Sequence, residues 1–231
     1  MLISWDKLPE EMKTAEVKSY YDILSKRKGS LAVKRAFDIV VSFVMLVLLS
    51  WLLLILAIMI KADSKGPVFY RQTRVTTGNR DFRIFKFRTM VQNADKIGAL
   101  VTSGNDSRIT RVGSKIRKCR LDELPQLINI LKGEMTFVGT RPEVRKYVEK
   151  YSHEMMATLL MPAGVTSLAS INFKDEDELM DTYTAEGMDV DDAYMQKVLP
   201  EKMAYNLEYI KEFGFFRDIK LMFATVISVL K

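Results

Sequence analysis

Residues 39–60, "IVVSFVMLVLLSWLLLILAIMI", run for 22 positions without a charge, whereas the rest of the chain mixes polar and apolar residues every few positions. About 20 apolar residues cross the hydrocarbon core of a bilayer, so the run predicts a membrane segment. It is too long for the apolar part of a secretory signal, lies too far from the N-terminus, and ends on no small-residue cleavage site. A retained segment follows. Basic residues flank it on both sides: Lys26, Arg27, Lys28, Lys34 and Arg35 before it, and Lys61, Lys65, Arg71, Arg74 and further arginines after it. Such residues stay on the cytoplasmic side of a membrane. A plain crossing satisfies one flank, whereas a helix that enters, bends and returns satisfies both. The bend signal is Ser50-Trp51 at mid-run, where the Ser50 hydroxyl can donate back to a preceding carbonyl. A proline would be the stronger signal. Residue physics leaves both topologies open.

Other patterns divide the remainder. "LPEEMKTAEVKSYYDILSKRKG" (8–29) has amphipathic helical spacing and is expected to end at Gly29, giving an N-terminal extension over 1–33. Lys34 and Arg35 then stand at headgroup level, each gaining about 1 kcal/mol from anionic lipid; a solvated basic linker is the plainer alternative. "GPVFYRQTRVTTGNRDFRIFKFRTM" (66–90) reads as two strands about the turn Thr77-Gly78-Asn79. Residues 91–100 look helical, and "VTSGNDSRITRVG" (101–113) reads as a polar loop. A further helix begins around Asp122. "MPAGVTSLASI" (161–171) is a turn followed by an extended piece, and residues 175–192 are an acidic, solvated stretch. The closing "FFRDIKLMFATVISVLK" (215–231) is too short in its apolar part to span. It either lies in a membrane interface or packs in the core.

The bulk numbers narrow the partners. A chain of 231 residues that is 48% hydrophobic and 28% charged is neither disordered nor a polytopic membrane protein. Its net charge of +6 favours a phosphate-rich partner, whether nucleic acid, anionic lipid or nucleotide. One cysteine, Cys119, excludes an internal disulfide and favours a reducing, cytoplasm-facing location; the thiol reads as small and packed. One histidine, His153, reads as a surface residue. With so few, His-cluster metal sites are excluded, and a Ser-His-Asp or Cys-His triad would have to use His153 itself.

The candidate chemistry lies in "RKCRLDELPQLINILKGEMTFVGTRPE" (117–143). Pro125 belongs in the first turn of a helix, which puts Asp122 and Glu123 at or just before its N-terminus. Gln126 and Asn129 follow on the Asp122 face, and Gly133 ends the helix. Free N–H groups at such a terminus seat a phosphate. Two carboxylates there become reasonable once Mg²⁺ joins them to substrate phosphates. Arg88, Arg117 and Arg141 would clamp those phosphates bidentately, and a carboxylate at such a centre can attack phosphorus. The plain reading is a capped helix with surface ion pairs.

From about Lys34 onward the chain resembles the bacterial sugar transferases, the monotopic phosphoglycosyl transferases that initiate glycan assembly. The motifs "KRAFDIVVS", "KGPVFYRQTRV", "FRIFKFRTM", "LDELPQLINILKGEMTFVGTRPE" and "PAGVTSLASI" occur in order. The resemblance implies an α+β, predominantly helical fold: a re-entrant membrane helix (34–64), then a cytosolic catalytic domain (65–231) with a small β-hairpin and interfacial amphipathic helices. It implies transfer of a sugar-1-phosphate from a UDP-sugar to undecaprenyl phosphate at the cytoplasmic face of a bacterial inner membrane, with release of UMP. Asp122 would be the nucleophile and Glu123 its partner, with Mg²⁺ at the pair. Arg88, Arg117, Gln126, Arg141 and Pro142 would lie at the donor, and Lys34, Arg35 and Ser50 would serve the membrane helix. The resemblance implies membrane lipids as partners and no nucleic acid. Family members usually bend this helix at Ser-Pro; here the pair is Ser50-Trp51, so the bend rests on Ser50 and packing. Thr140 stands where proline is frequent, with Arg141 and Pro142 retained.

Two other readings compete. An anchored, non-catalytic protein could bind acidic lipid or nucleic acid through its basic face, with Asp122 dispensable and a steep salt dependence. Alternatively, Asp122 could be a Mg²⁺ ligand in a transfer without a covalent step. The sugar itself is not legible; the region from "PAGVTSLASINFKDEDEL" to about Lys202 is where its recognition is expected.

Overall fold

The computed structural model describes residues 1–94, 106–173 and 176–230. Two 3-10 turns lead into α1 (Ala15–Ser25), whose first turn is capped by Thr14 Oγ1 accepting from the Val17 N–H. Then come α2 (Lys28–Leu48), α3 (Ser50–Asp63), and the antiparallel strands β1 (Phe69–Thr76) and β2 (Arg80–Phe87). After α4 (Arg111–Lys118) the chain runs through α5 (Gln126–Lys132), β3 (Met135–Val138), α6 (Arg145–Val148), β4 (Ala163–Thr166) and α7 (Leu168–Asn172). It closes with α8 (Glu176–Ala185), α9 (Val190–Ala193), α10 (Leu199–Lys211) and α11 (Phe215–Leu230). The architecture is α+β and predominantly helical.

The hairpin forms as its alternation predicts, in register from Phe69↔Phe87 to Thr76↔Arg80. Its turn needs left-handed backbone, which Gly78 (φ 67°) and Asn79 (φ 55°) supply. The pair β3–β4 is parallel and was not foreseen; four residues each carry no readable period. Just beyond it the chains touch at two glycines, where the Gly164 N–H donates to Thr140 O at 2.8 Å. A Cβ on Gly164 would stand 2.4 Å from the Gly139 nitrogen, so only glycine permits this approach.

The apolar run forms two helices, α2 and α3, bent by 63° with Leu49 between them. Leu49 leaves the helix (φ −94°, ψ 4°), and Ser50 Oγ donates to Val47 O at 2.8 Å. This is the back-bonding that bends helices without proline. No single described helix is long and apolar enough to cross a membrane. The bent pair leaves Val40, Phe43, Leu48, Trp51, Leu54 and Ile58 exposed.

Several expectations are corrected. Gly29 does not end a helix: it lies in the first turn of α2 without the positive φ of a C-cap, and α1 stops earlier, at Ser25. The first residues are core material, since Leu8, Met12, Val17, Tyr20 and Leu24 pack with Leu160, Tyr209 and Ile210. Lys34 and Arg35 are both engaged within the protein. Lys34 is 2% exposed, and its Nζ donates to Val138 O at 2.8 Å and to Asp218 Oδ2 at 2.5 Å. Arg35 donates to Ile130 O (2.7 Å) and Leu131 O (2.9 Å), satisfying the last carbonyls of α5. Both side chains lie on the face of α2 that packs inward, where carbonyls and a buried carboxylate await a cation.

Most of the helix expected over 91–100, and the start of the loop that follows, lie outside the described residues. The loop ends early, because Thr110 caps α4 by accepting from the Gly113 N–H at 3.0 Å. The extended piece after Pro162 stops at Thr166, where Ser167 caps α7. The acidic stretch is not wholly solvated: Met180 of α8 is buried with Tyr147, Tyr194 and Met203. Helix α11 packs against the core on one face and is open on another. Leu221 and Met222 pack against the core, while Phe216 (81%), Phe223 (67%) and Val226 (56%) remain exposed. Cys119 is exposed rather than packed, at the end of α4. His153 is exposed, as expected.

Candidate active site

Three elements converge on the two carboxylates. After α4, Arg120 adopts a left-handed conformation (φ 54°) and turns the chain into a 3-10 turn, Leu121–Glu123. Pro125 then starts α5, and Gly133 (φ 78°) ends it. The carboxylates therefore precede the helix as expected. The phosphate seat is mostly closed, however, because the N–H groups of Glu123, Leu124, Leu127 and Ile128 already donate to the carbonyls of Arg120, Leu121, Leu124 and Pro125.

The neighbours differ in environment. Glu123 Oε1 accepts from Arg141 Nη2 at 2.6 Å and from Lys86 Nζ at 3.0 Å. Burial works to raise the Glu123 carboxyl, but Arg141 and Lys86 outweigh it and hold the group well below the usual carboxylate range. Asp122 is 9% exposed, and no described side chain donates a hydrogen bond to it. Burial raises its carboxyl above the ordinary value; Lys86 and Arg117 oppose that, and the Glu123 charge adds to it. One carboxylate is neutralised and fixed while the other is buried and unclamped.

Arg141 stands on the loop leaving β3. Its Nη1 also donates to Val165 O (3.2 Å), beside the Gly139–Gly164 approach. Pro142 anchors that loop through its carbonyl, which accepts from Arg74 Nη1 at 3.0 Å. Arg117, in the last turn of α4, acts on Asp122 through its charge. Gln126 is 1% exposed, yet neither its Oε1 nor its Nε2 has a partner among the described residues. An unmet buried amide costs about 1–3 kcal/mol per group, so a partner at Gln126 would relieve strain already present.

Arg88 is corrected. Its guanidinium donates to the carbonyls of Ile60 (3.3 Å), Ser64 (2.7 Å) and Lys65 (2.9 Å), closing the end of α3 instead of facing the dyad. The basic residue β2 does supply is Lys86, which the sequence reading missed. The signal was available in the period of two: register places Lys86 opposite Tyr70, on the strand face away from Phe87. Asn129 fixes the strand there, accepting from the Phe85 N–H (2.8 Å) and donating to Arg83 O (3.0 Å).

Comparison with known proteins decides the family. Residues 29–231 match the model described as bacterial sugar transferase. The chain belongs to the bacterial sugar transferase family. One relative is the UDP-N-acetylgalactosamine-undecaprenyl-phosphate N-acetylgalactosaminephosphotransferase of Aeromonas hydrophila, 38% identical over 201 residues, covering 86% of this chain and 44% of the relative. Another is the UDP-glucose:undecaprenyl-phosphate glucose-1-phosphate transferase of Escherichia coli strain K12, 36% identical over 222 residues, or 94% of this chain and 44% of the relative. The exopolysaccharide production protein ExoY of Rhizobium meliloti is 32% identical over 216 residues, 87% and 86% of the two chains. The chain thus spans less than half of the first two relatives and most of the third.

No group of three or more His, Cys, Asp or Glu residues gathers among the described residues as a metal cluster. The dyad nonetheless suits a hard divalent ion that draws its other ligands from substrate and water. Both cations sit on Glu123 Oε1, leaving Oε2 without a donor among the described residues, and the Asp122 oxygens are unclamped. The residues present fit Mg²⁺ as a two-carboxylate site.

Proposed function

We propose that the protein transfers a sugar-1-phosphate from a UDP-sugar to undecaprenyl phosphate at the cytoplasmic face of a bacterial membrane, releasing UMP. This would be the first membrane step of capsule, exopolysaccharide or glycoconjugate assembly. The observation that carries the reading is the contrast within the dyad: Asp122 buried and unclamped, Glu123 neutralised by Arg141 and Lys86. Relatives named for this transfer support it.

The Asp122 carboxylate attacks the β-phosphorus of the donor. The bond from that phosphorus to the bridging oxygen breaks, UMP leaves with the electron pair, and the sugar phosphate remains on Asp122 as an acyl phosphate. An oxygen of undecaprenyl phosphate then attacks the same phosphorus and restores the carboxylate. Arg141, Arg117 and Lys86 offset the repulsion between carboxylate and pyrophosphate. Asp122 and Glu123 would hold Mg²⁺, which supplies charge neutralisation at the phosphates when bound. The buried Gln126 amide, one turn after Asp122, offers a donor and an acceptor. The bent pair α2–α3 acts as a re-entrant hairpin, and the open apolar face of α11 lies along the interface.

The test is UMP release by detergent-purified protein supplied with undecaprenyl phosphate, Mg²⁺ and a panel of UDP-sugars, beside Asp122→Asn. Release with at least one donor, lost in the variant by about 10³-fold or more, is expected. Release that survives in Asp122→Asn removes Asp122 from the chemistry.

A further inference from the structure

Behind the Arg141 loop lies a cluster of charges that the transfer step does not use. Lys202, on α10, is 5% exposed, and its Nζ has three oxygen neighbours. They are Tyr194 Oη at 2.9 Å, Glu176 Oε1 at 3.1 Å and Glu143 Oε1 at 3.6 Å. Tyr194 donates in turn to Glu143 Oε1 at 2.6 Å, and the Val75 N–H donates to Glu143 O at 3.0 Å. Glu143 follows Arg141 and Pro142 directly, so the cluster clasps the loop that carries Arg141 to the dyad.

Stability alone does not account for it. A buried ion pair gains little over well-packed apolar residues of the same volume. Glu143 is enclosed, with Tyr194 and Lys202 at Oε1 and Arg74 3.9 Å from Oε2, but the Glu176 side chain is 28% exposed. One of its oxygens is held by Lys202, and the other has no donor among the described residues. Through Lys202 and Glu143, Glu176 is linked to the loop that carries Arg141, and its charge favours the protonated guanidinium. A further carboxylate in the cluster behind the Arg141 loop would repel the donor pyrophosphate, so it suits the uncharged part of the donor. Carboxylates accept only, and a sugar offers hydroxyl or amide donors.

We infer that Glu176 is a recognition residue for the donor's sugar and that Lys202 is its positioning residue, fixing one carboxylate oxygen so that the other meets sugar hydroxyl or amide donors. The inference rests on the transferase reading for the identity of the donor. It adds a place where sugars are told apart. A site built to hydrogen-bond a substrate group discriminates strongly against analogues lacking it, since its own polar group is then left unmet.

Equilibrium binding of UDP and of a panel of UDP-sugars to full-length wild type, Glu176→Gln and Lys202→Met, with divalent metal chelated so that no sugar phosphate is transferred to Asp122, separates the possibilities. Wild type is expected to bind at least one UDP-sugar more tightly than UDP. Glu176→Gln is expected to lower that preference by about 10- to 100-fold, the loss of a charged hydrogen bond, with UDP affinity unchanged. Lys202→Met is expected to lose the same preference. Glu176→Gln is close to isosteric and keeps an acceptor for Lys202, so the result does not depend on the second variant folding. An unchanged preference in Glu176→Gln, or a wild type that binds no UDP-sugar better than UDP, overturns the inference. A wild type that shows the preference but releases no UMP contradicts the transferase reading alone.

Discussion

Asp122 and Glu123 share a turn and a charge, yet their surroundings commit them to different work. Burial without a clamp raises the Asp122 carboxyl, so its folded value lies above its unfolded one. Such a group contributes stability below the unfolded value and loses that contribution as pH rises through the folded one. At neutral pH the ionised Asp122 therefore costs stability. Asp122→Asn should abolish transfer while raising Tm by a few degrees at pH 7, a gap that closes on acidification below about pH 4. Equal or lower Tm in the variant at pH 7 would show that Asp122 is held by partners. Wild-type turnover, in turn, should fall as pH drops through the raised Asp122 value. Glu123 behaves in the opposite way, because Arg141→Ala strands a carboxylate that is 11% exposed with Lys86 alone. Thermal unfolding should register a loss of about 3 kcal/mol, and Arg141→Lys should not restore it, since an ammonium cannot bridge Glu123 and Val165 as the planar guanidinium does. An Arg141→Ala melting curve that matches wild type would show the pair to be incidental.

Local signals made some elements legible. Alternation and a Thr-Gly-Asn turn announce the hairpin, and the Ser50 hydroxyl marks the bend even without proline. Adjacency exposed Asp122, Glu123, Gln126 and Arg141, all within one short string. What sequence hid was set by distant partners. Lys34 before an apolar run resembles a headgroup anchor, but its carboxylate lies 184 positions away on α11. Arg88 resembles a phosphate ligand until the carbonyls ending α3 claim it. Lys86 reaches Glu123 across 37 positions, and the Glu176–Lys202 pair joins two helices that share no motif. The Lys34–Asp218 pair ties α2 to α11, so Lys34→Met should destabilise by about 3–5 kcal/mol by leaving Asp218 buried and unpaired. The double variant Lys34→Met/Asp218→Leu should recover part of that loss in thermal unfolding. Additive losses would mean that the two residues act independently.

At the scale of the molecule, the bent pair and α11 leave apolar faces open while the charged site lies in the domain they carry. A re-entrant pair keeps both of its flanks on the cytoplasmic side, where their lysines and arginines belong. In a Cys119→Ser background, single cysteines at Lys26 and at Lys65 should both resist an impermeant maleimide in spheroplasts and both react in inverted vesicles. Labelling of one flank from each side would establish a crossing helix. The donor and lipid would meet the site in turn, with Asp122 carrying the sugar phosphate between them. The most direct measurement is therefore the intact mass of the protein after mixing with its UDP-sugar while undecaprenyl phosphate is withheld. The account predicts a gain of one sugar phosphate, located on Asp122, absent from Asp122→Asn, and discharged when the lipid is added. Catalytically active protein that gains no mass under these conditions would contradict the covalent step.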